Sequence, residues 1–277
     1  MRRSWLFVPG ADRKAHEAAA RCGADVIVLE LEDFTPPELR ARAREMSAAA
    51  FERWRKAGAL AAVRINPFET CGMEDLAGIA RPDILMMSKV DSVEQVKRLE
   101  AAAPPGIELA PNIESARGLT RIGEIARASA RISALLVASE DMVADLGTER
   151  SRSGEELAYV RGRFLVECRA AGVEAIDCPY TFSDVKGAAA DARYARRLGY
   201  RMKSVVDPAH VKAINDVFTP DLARARKIVA AFEAARAKGK DRARVDGLLV
   251  EVPIYAAAKR VLESSERSSP PPRKTPR

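Results

Sequence analysis

The chain has 277 residues, 47% of them hydrophobic, and a formal net charge of +7. That is enough apolar material for one large core or two smaller ones, and no apolar run approaches the ~20 residues that a membrane-crossing helix needs. The four cysteines, Cys22, Cys71, Cys168 and Cys178, form no Cys-x-x-Cys pair, which argues against a disulfide framework or zinc knuckle and for a reducing cytoplasm.

The two histidines, His16 and His210, are too few for a His-rich metal site, and each is expected at the surface. Met1 to Ser4 leads into an apolar run that ends at Pro9-Gly10, too short for the apolar region of a signal peptide. Residues 264–277 carry four cations and one anion, three of the seven surplus charges. This Pro/Ser/Arg-rich tail cannot bury apolar surface and is expected to be disordered. Aromatics make up 5% of the chain with no spacing that suggests base stacking, so nucleic acid is not an expected partner. The remaining positive charge suits an anionic small molecule.

From the amino terminus, strand and helix signals alternate. Strands are predicted at Ser4–Val8, Asp25–Leu31, Leu60–Ile65, Ile84–Ser88, Ile107–Ile113, Ile132–Ala138, Glu174–Cys178 and Tyr200–Val206. Alanine- and arginine-rich segments of helical period separate them, at Pro37–Ala57, Val93–Ala102, Gly118–Ala128, Gly154–Ala170 and Asp184–Leu198. Several strands are continuous apolar runs, as a sheet covered on both faces requires. Eight such units predict an α/β fold, a closed (β/α)8 TIM barrel over residues 1–217. An open doubly wound sheet is the alternative, but no Gly-x-Gly-x-x-Gly follows the first strand. Extra C-terminal helices are predicted at Pro208–Val217, Asp221–Ala237 and roughly Gly247–Leu262. Residues 218–263 would thus form a helical extension packing on the barrel or on a neighbouring subunit.

In such a barrel the chemistry sits where strands end. The second strand ends in Glu30, Glu32 and Asp33, the third in Arg64-Ile65-Asn66, and the fourth in Ser88-Lys89. The fifth gives Glu114, the sixth Asp141, the seventh Asp177 with Tyr180, and the eighth Asp207. Glu114 and Asp141 follow successive strands, so their oxygens could share one divalent cation; they could equally be acids at helix starts. With a cation there, a 2-oxo acid would be chelated, and Arg64 would present a planar fork to the oxyanion that develops. Glu32 and Asp33 would hold metal-bound waters and orient Arg64, or serve as N-terminal charges of the following helix. Lys89 could be a rim cation, and a Schiff-base role would need burial.

These residues carry a family resemblance. RSWLFVPG (3–10), ADVIVLELED (24–33), VRINP (63–67), SKVDS (88–92), IESARGL (113–119), SEDMVADLG (139–147), AIDCPY (175–180) and VDGLLVEVP (245–253) stand in an order and spacing that resemble the citrate lyase β-subunit and malyl-CoA lyase group. These are CoA-ester lyases of the HpcH/HpaI aldolase-like kind, and the likeness runs to about residue 262. It implies a TIM barrel of the phosphoenolpyruvate/pyruvate-binding type and a Mg²⁺-dependent (or Mn²⁺-dependent) carbon–carbon lyase. The lyase would cleave or form a 3-hydroxy acyl-CoA thioester such as malyl-, citramalyl- or citryl-CoA. It further implies Glu114 and Asp141 as metal ligands, Arg64 as the carbonyl-polarising group, Arg3 near the CoA portion, and Glu251 as the acid/base offered across a subunit interface. Its partners would be an oxo acid and an acyl-CoA, in a cytoplasmic trimer or hexamer.

The chain departs from the pattern at Glu30, where the family reads Asp, and at Ser88, Asp91 and Ala138. It also departs at Ala18, where a lysine is expected, at Asp207–His210, and at Glu251, which replaces an aspartate and reaches one methylene further. The Ala18 and Asp207–His210 changes leave open a metal-dependent aldolase on free hydroxy-oxo acids. A malyl-CoA-type thioesterase and a non-catalytic scaffold subunit are compatible with the same motifs.

Overall fold

The structure, a computed structural model, describes residues 1–267. Its chain divides into two compact units, Arg2–Phe218 and the segment from Thr219 onward, with Met1 grouped with the latter. The predicted disordered tail lies largely outside the described residues: 264–267 form the end of the last helix, and 268–277 are not described.

The first unit is built on β1 (Ser4–Pro9), β2 (Val26–Glu30), β3 (Leu60–Ile65), β4 (Ile84–Met87), β5 (Glu108–Leu109), β6 (Asn112–Ile113), β7 (Ala134–Val137), β8 (Glu174–Asp177) and β9 (Met202–Val205). They form one curled, parallel sheet in the order β5-β4-β3-β2-β1-β9-β8-β7-β6. The α/β class and the parallel sheet match the expectation. The continuous eight-strand ring does not. The predicted fifth strand is divided at Ala110-Pro111, so its first half pairs with β4 and its second with β7. Proline has no N–H to give a ladder. The two edges of the sheet are therefore the two halves of one predicted strand, and the sheet is curled but not a closed barrel; one isolated parallel bridge pairs Leu109 of β5 with Ile132, two residues before β7.

Strand parity sorts the side chains into two layers. Trp5 and Phe7, Val26 and Val28, Ala62, Ile84 and Met86, Leu136, Ile176 and Met202 form a cluster made almost wholly of strand residues on the inner face. Their neighbours Leu6, Val8, Ile27, Leu29, Val63, Leu85 and Leu135 pack outward against helical residues such as Phe51, Trp54, Leu99 and Phe164. Both faces are buried, which is why the strands read as apolar runs rather than as alternating ones.

The helices follow their signals. Val93–Ala102 starts at a Ser92/Gln95 capping box, and Val185–Leu198 is capped by the Asp184 side chain. The predicted helix Gly118–Ala128 is instead two short ones, Ala116–Leu119 and Ile122–Arg127. His16 and His210 are buried, contrary to expectation: His16 Nε2 lies 2.9 Å from the Pro9 carbonyl, and His210 Nε2 lies 3.2 Å from that of Ser183.

The second unit holds helices Leu222–Arg236 and Val252–Arg267 with an antiparallel hairpin, β10 (Ala243–Val245) and β11 (Leu248–Val250). The helix expected from Gly247 begins only at Val252. Asp246 and Gly247 both take positive φ (50° and 81°), the two-residue turn that an Asp-Gly pair favours. Ala225, Ile228, Phe232, Val245, Val250 and Ala258 form this unit's own small core, with Phe232 stacked on Tyr255 at 4.7 Å.

Candidate active site

The inner-face parity that places Val26 and Val28 inward continues to Glu30 and brings its side chain to the carboxyl end of the sheet. Ala62 leads in the same way to Arg64, and Asn112 to Glu114. Arg64 is 7% exposed, and its guanidinium gathers three carboxylates. Nε pairs with Glu30, one terminal nitrogen lies 3.3 Å from Glu32 and the other 3.5 Å from Glu114. The guanidinium carbon also sits 5.2 Å from the centre of the Phe7 ring, a cation–π contact from β1.

The surrounding backbone fixes this fork. Glu32 N–H donates to Glu30 Oε1 at 2.5 Å. Gly10 N–H donates to the Glu30 carbonyl at 3.0 Å, and a Cβ on Gly10 would stand 2.7 Å from that oxygen, so glycine is needed for the approach. Beyond Arg64, the Asn66 amide donates to the Leu31 carbonyl and to Asp75, both at 2.8 Å, tying together the loops after β2 and β3.

The electrostatics follow from burial. Desolvation pushes the Glu30 carboxyl up to about 7 despite Arg64 and the Glu32 amide. It pushes Glu114 up to about 8, opposed by Arg64 but reinforced by the negative charges of Glu32 and Asp141. For Arg64, burial alone would lower the value, but Glu30, Glu114 and Glu32 together raise it above that of a free guanidinium. Glu114 Oε1 accepts from Asn112 Nδ2 at 3.2 Å, whereas its Oε2 is buried without a hydrogen-bond partner. A buried carboxylate oxygen without a donor, in a field of other carboxylates, is a place where added positive charge would be stabilised. The residues present therefore fit a hard divalent cation.

Asp141 stands in the first turn of the helix Glu140–Asp145 and lines a cavity of about 290 Å³. Arg64, Phe7, Asp33, Ser139, Thr181 and Ser204 line the same cavity. Lys89, at the end of β4, reaches Glu32 at 2.6 Å and is raised by that hydrogen bond. Its φ of 55° is a left-handed conformation that a lysine seldom takes. Among the described residues, no group of three or more His, Cys, Asp or Glu is placed to hold a metal ion.

The structure thus brings together Glu30, Glu32, Arg64, Lys89 and Glu114 in one charge network, with Asp33 and Asp141 on the adjoining cavity wall. Other expected rim groups lie elsewhere. Asp177 has outward parity and is buried among Arg161 and Lys203 behind the sheet, at 2.7 and 2.6 Å. Tyr180 donates to Asp184, and Asp207 caps a turn by accepting from Ala209 N–H. Arg3 precedes β1, at the opposite end of the strands from Arg64. Its Nε and terminal nitrogen both hold Asp25 at 2.8 Å. Glu251 is exposed in the second unit, immediately before the helix Val252–Arg267. The pairing of Glu30 with Arg64 and the strained Lys89 were not foreseen. Parity counted from Arg64 and Glu30 would have placed both on one face.

The arrangement is an arginine held by carboxylates at the carboxyl ends of parallel strands, beside a cavity. A model of the HpcH/HpaI aldolase/citrate lyase family matches residues 3–208, and the chain belongs to that family of carbon–carbon lyases. It is similar to the citrate lyase subunit beta of Escherichia coli, with 31% identity over 284 residues covering 96% of this chain and 94% of the relative. It is 30% identical, over 95% of its length and 94% of the relative's, to a (3S)-malyl-CoA thioesterase of Cereibacter sphaeroides. A crystal structure of CitE from Mycobacterium tuberculosis, in complex with magnesium, acetoacetate and coenzyme A, is 28% identical. It superposes with a TM-score of 0.74, covering 95% of this chain and 98% of that one.

Proposed function

We propose that this protein is a Mg²⁺-dependent lyase that cleaves or forms a 3-hydroxy acyl-CoA thioester of the malyl, citramalyl or citryl type. The observation that carries the reading is the Arg64 fork, locked by Glu30 and Glu32 and leaning on Glu114, whose second oxygen lacks a donor. Glu114 and Asp141 would hold the cation, Mg²⁺ or Mn²⁺, with substrate and water oxygens completing its shell. When bound, the cation supplies Lewis-acid polarisation of the oxo acid's carbonyl.

The chain's own residues do the rest. Arg64, charged and fixed by three carboxylates, would donate to the oxo acid's oxygen, which is negative as the alkoxide before the carbon–carbon bond breaks and becomes negative again as the bond forms. Its partners hold it in place before reaction, so little reorganisation is needed. Glu32 is shared between Arg64 and Lys89, and with Asp33 it would accept from waters at the cavity edge. Phe7 and Leu136 make the inner wall apolar and exclude water from the reacting atoms. In the cleavage direction the substrate's 3-hydroxyl gives its proton to water, and the carbon–carbon bond breaks to leave the oxo acid and the thioester enolate. Glu251, offered across a subunit interface, would protonate the enolate carbon; in the forming direction it would take the proton from the α-carbon. Relatives that are citrate lyase β-subunits, and a neighbour holding magnesium, acetoacetate and coenzyme A, support the substrate class.

The test is incubation of purified protein and Mg²⁺ with a panel of malyl-, citramalyl- and citryl-CoA. Release of an oxo acid (or oxaloacetate) with acetyl-CoA is expected; no product from any member of the panel would overturn the proposal. The thioesterase relative supports one second reading, hydrolysis of the same thioester. Free malate without glyoxylate would identify it.

A further inference from the structure

We infer that Lys89 is a positioning residue, whose ammonium holds Glu32 back from Arg64 and so keeps the terminal N–H groups of Arg64 open to the oxo acid. This deepens the lyase reading above and rests on it.

Among the described residues only two that are not glycine take a positive φ, Lys89 at 55° and Asp246 at 50°. Asp246 has an ordinary cause, the Asp-Gly hairpin turn. Lys89 has none. In the left-handed region a side chain's Cβ crowds the following carbonyl, and glycine would take the position without strain. The conformation is held from three sides. Ser88 N–H donates to the Ile65 carbonyl at 3.2 Å, Val90 N–H to the Asn112 carbonyl at 3.0 Å, and Gln95 Nε2 to the carbonyl of Lys89 itself at 3.2 Å. Ser88 and Val90 are fully buried, whereas the Lys89 side chain is half-exposed. A strained residue that its surroundings over-determine, beside a site, points to function.

What the strained backbone carries is an ammonium at the fork. Lys89 Nζ stands 2.6 Å from Glu32 Oε1, and Glu32 is buried. The other Glu32 oxygen lies 3.3 Å from one terminal nitrogen of Arg64, and Glu114 lies 3.5 Å from the other. Both contacts are longer than the ~2.7–3.2 Å of an ordinary N–H···O bond. Only Nε of Arg64 is closely paired, with Glu30. Three carboxylates thus share one guanidinium, and Lys89 is the second cation of the network. Without it, Glu32 would be a buried carboxylate with Arg64 as its one cation, and it would close on that guanidinium. The N–H that should meet the substrate's oxygen would then be occupied within the protein. An ordinary rim ion pair is worth little, and it accounts for the contact but not for a lysine in a left-handed position.

The test is a double-mutant cycle between residues 89 and 32. It reads cleavage of the thioester panel and calorimetric binding, with Mg²⁺ present, of whichever of glyoxylate, pyruvate and oxaloacetate binds best. Lys89→Met should lower kcat and oxo-acid affinity by roughly tenfold each, and Lys89→Arg should recover most of both. In the Glu32→Gln background, itself impaired, Lys89→Met should change neither by more than about twofold, because the carboxylate it restrains is gone. Lys89→Gly should lose as much function as Lys89→Met yet melt roughly 2–4 °C higher, since the backbone strain is relieved. The same tenfold loss in both backgrounds would overturn the inference, because Lys89 would then meet substrate directly. So would unchanged function in Lys89→Met, or a Lys89→Gly variant that melts no higher than Lys89→Met. If the wild-type chain binds an oxo acid but cleaves no thioester, the lyase reading fails and the binding cycle decides the role of Lys89 by the same criteria. If none of the three oxo acids binds, both fall.

Discussion

Replacing Arg64 with lysine keeps the charge and removes the geometry. The guanidinium reaches Glu30, Glu32 and Glu114 from separate nitrogens, two of them at 3.3 and 3.5 Å. A single ammonium cannot span that set. In Arg64→Lys at least one nearly fully buried carboxylate loses its partner, at a cost of about 1–3 kcal/mol. At roughly 2–4 °C per kcal/mol for a chain of this size, Tm should fall by about 2–12 °C. Catalysis should suffer more, because the lost donor is the one aimed at the developing oxyanion. Loss of such a donor typically costs ~100- to 1000-fold in kcat. The assay is oxo-acid release from malyl-CoA at saturating Mg²⁺, with Tm read on the same preparation. A kcat within about fivefold of wild type in a normally melting variant would refute the role given to the fork.

Three further outcomes are expected. Lys203→Met leaves Asp177 and Asp191 facing Arg161 alone in a buried network whose lysine contacts are 2.6 Å. It should destabilise the protein by roughly 3–5 kcal/mol in urea unfolding. Asp191, which burial alone would raise, is held below the usual carboxylate range by Lys203 and Arg161. Its contribution is therefore complete above the unfolded-state value and is lost as pH falls through the folded one. Wild type should thus lose Tm more steeply than Lys203→Met on acidification below about pH 4; parallel curves would contradict this. Gly72→Ala would put a Cβ 2.1 Å from the Asn66 carbonyl and force apart the loop after Arg64. It should cost about 1–3 kcal/mol and lower kcat, and a neutral result would show that the loop yields freely. Glu251→Gln, at an exposed position, should leave Tm unmoved and reduce kcat by ~100-fold or more. Equal loss of stability and rate would instead mark it as structural.

Most strands were legible because a sheet covered on both faces leaves continuous apolar runs bounded by turns. What those runs hide is parity. With both faces buried, hydrophobicity cannot say whether Asp177 or Ile176 points inward, and Asp177 proved to belong to a charge network behind the sheet. The break in the fifth strand was written in Pro111, and the late hairpin in Asp246-Gly247, but each signal was overridden by the apolar or helical run around it. Glu114, Asp141 and Arg64 were visible as polar groups at strand ends. The locking of Arg64 by Glu30 depends on pairing β2 to β3 with Glu30 opposite Arg64, a register that only the folded sheet displays. The assignment of Arg3 to the carrier came from motif position alone, and strand direction places it at the opposite end.

The most direct test of the central claim is calorimetric titration of Mg²⁺ into the protein with a saturating oxo acid, for wild type, Glu114→Gln and Asp141→Asn. One ion per chain is expected for wild type, with affinity at least tenfold weaker in each variant and lyase activity lost in step. Undiminished Mg²⁺ binding in both variants would contradict the claim that these two carboxylates hold the ion.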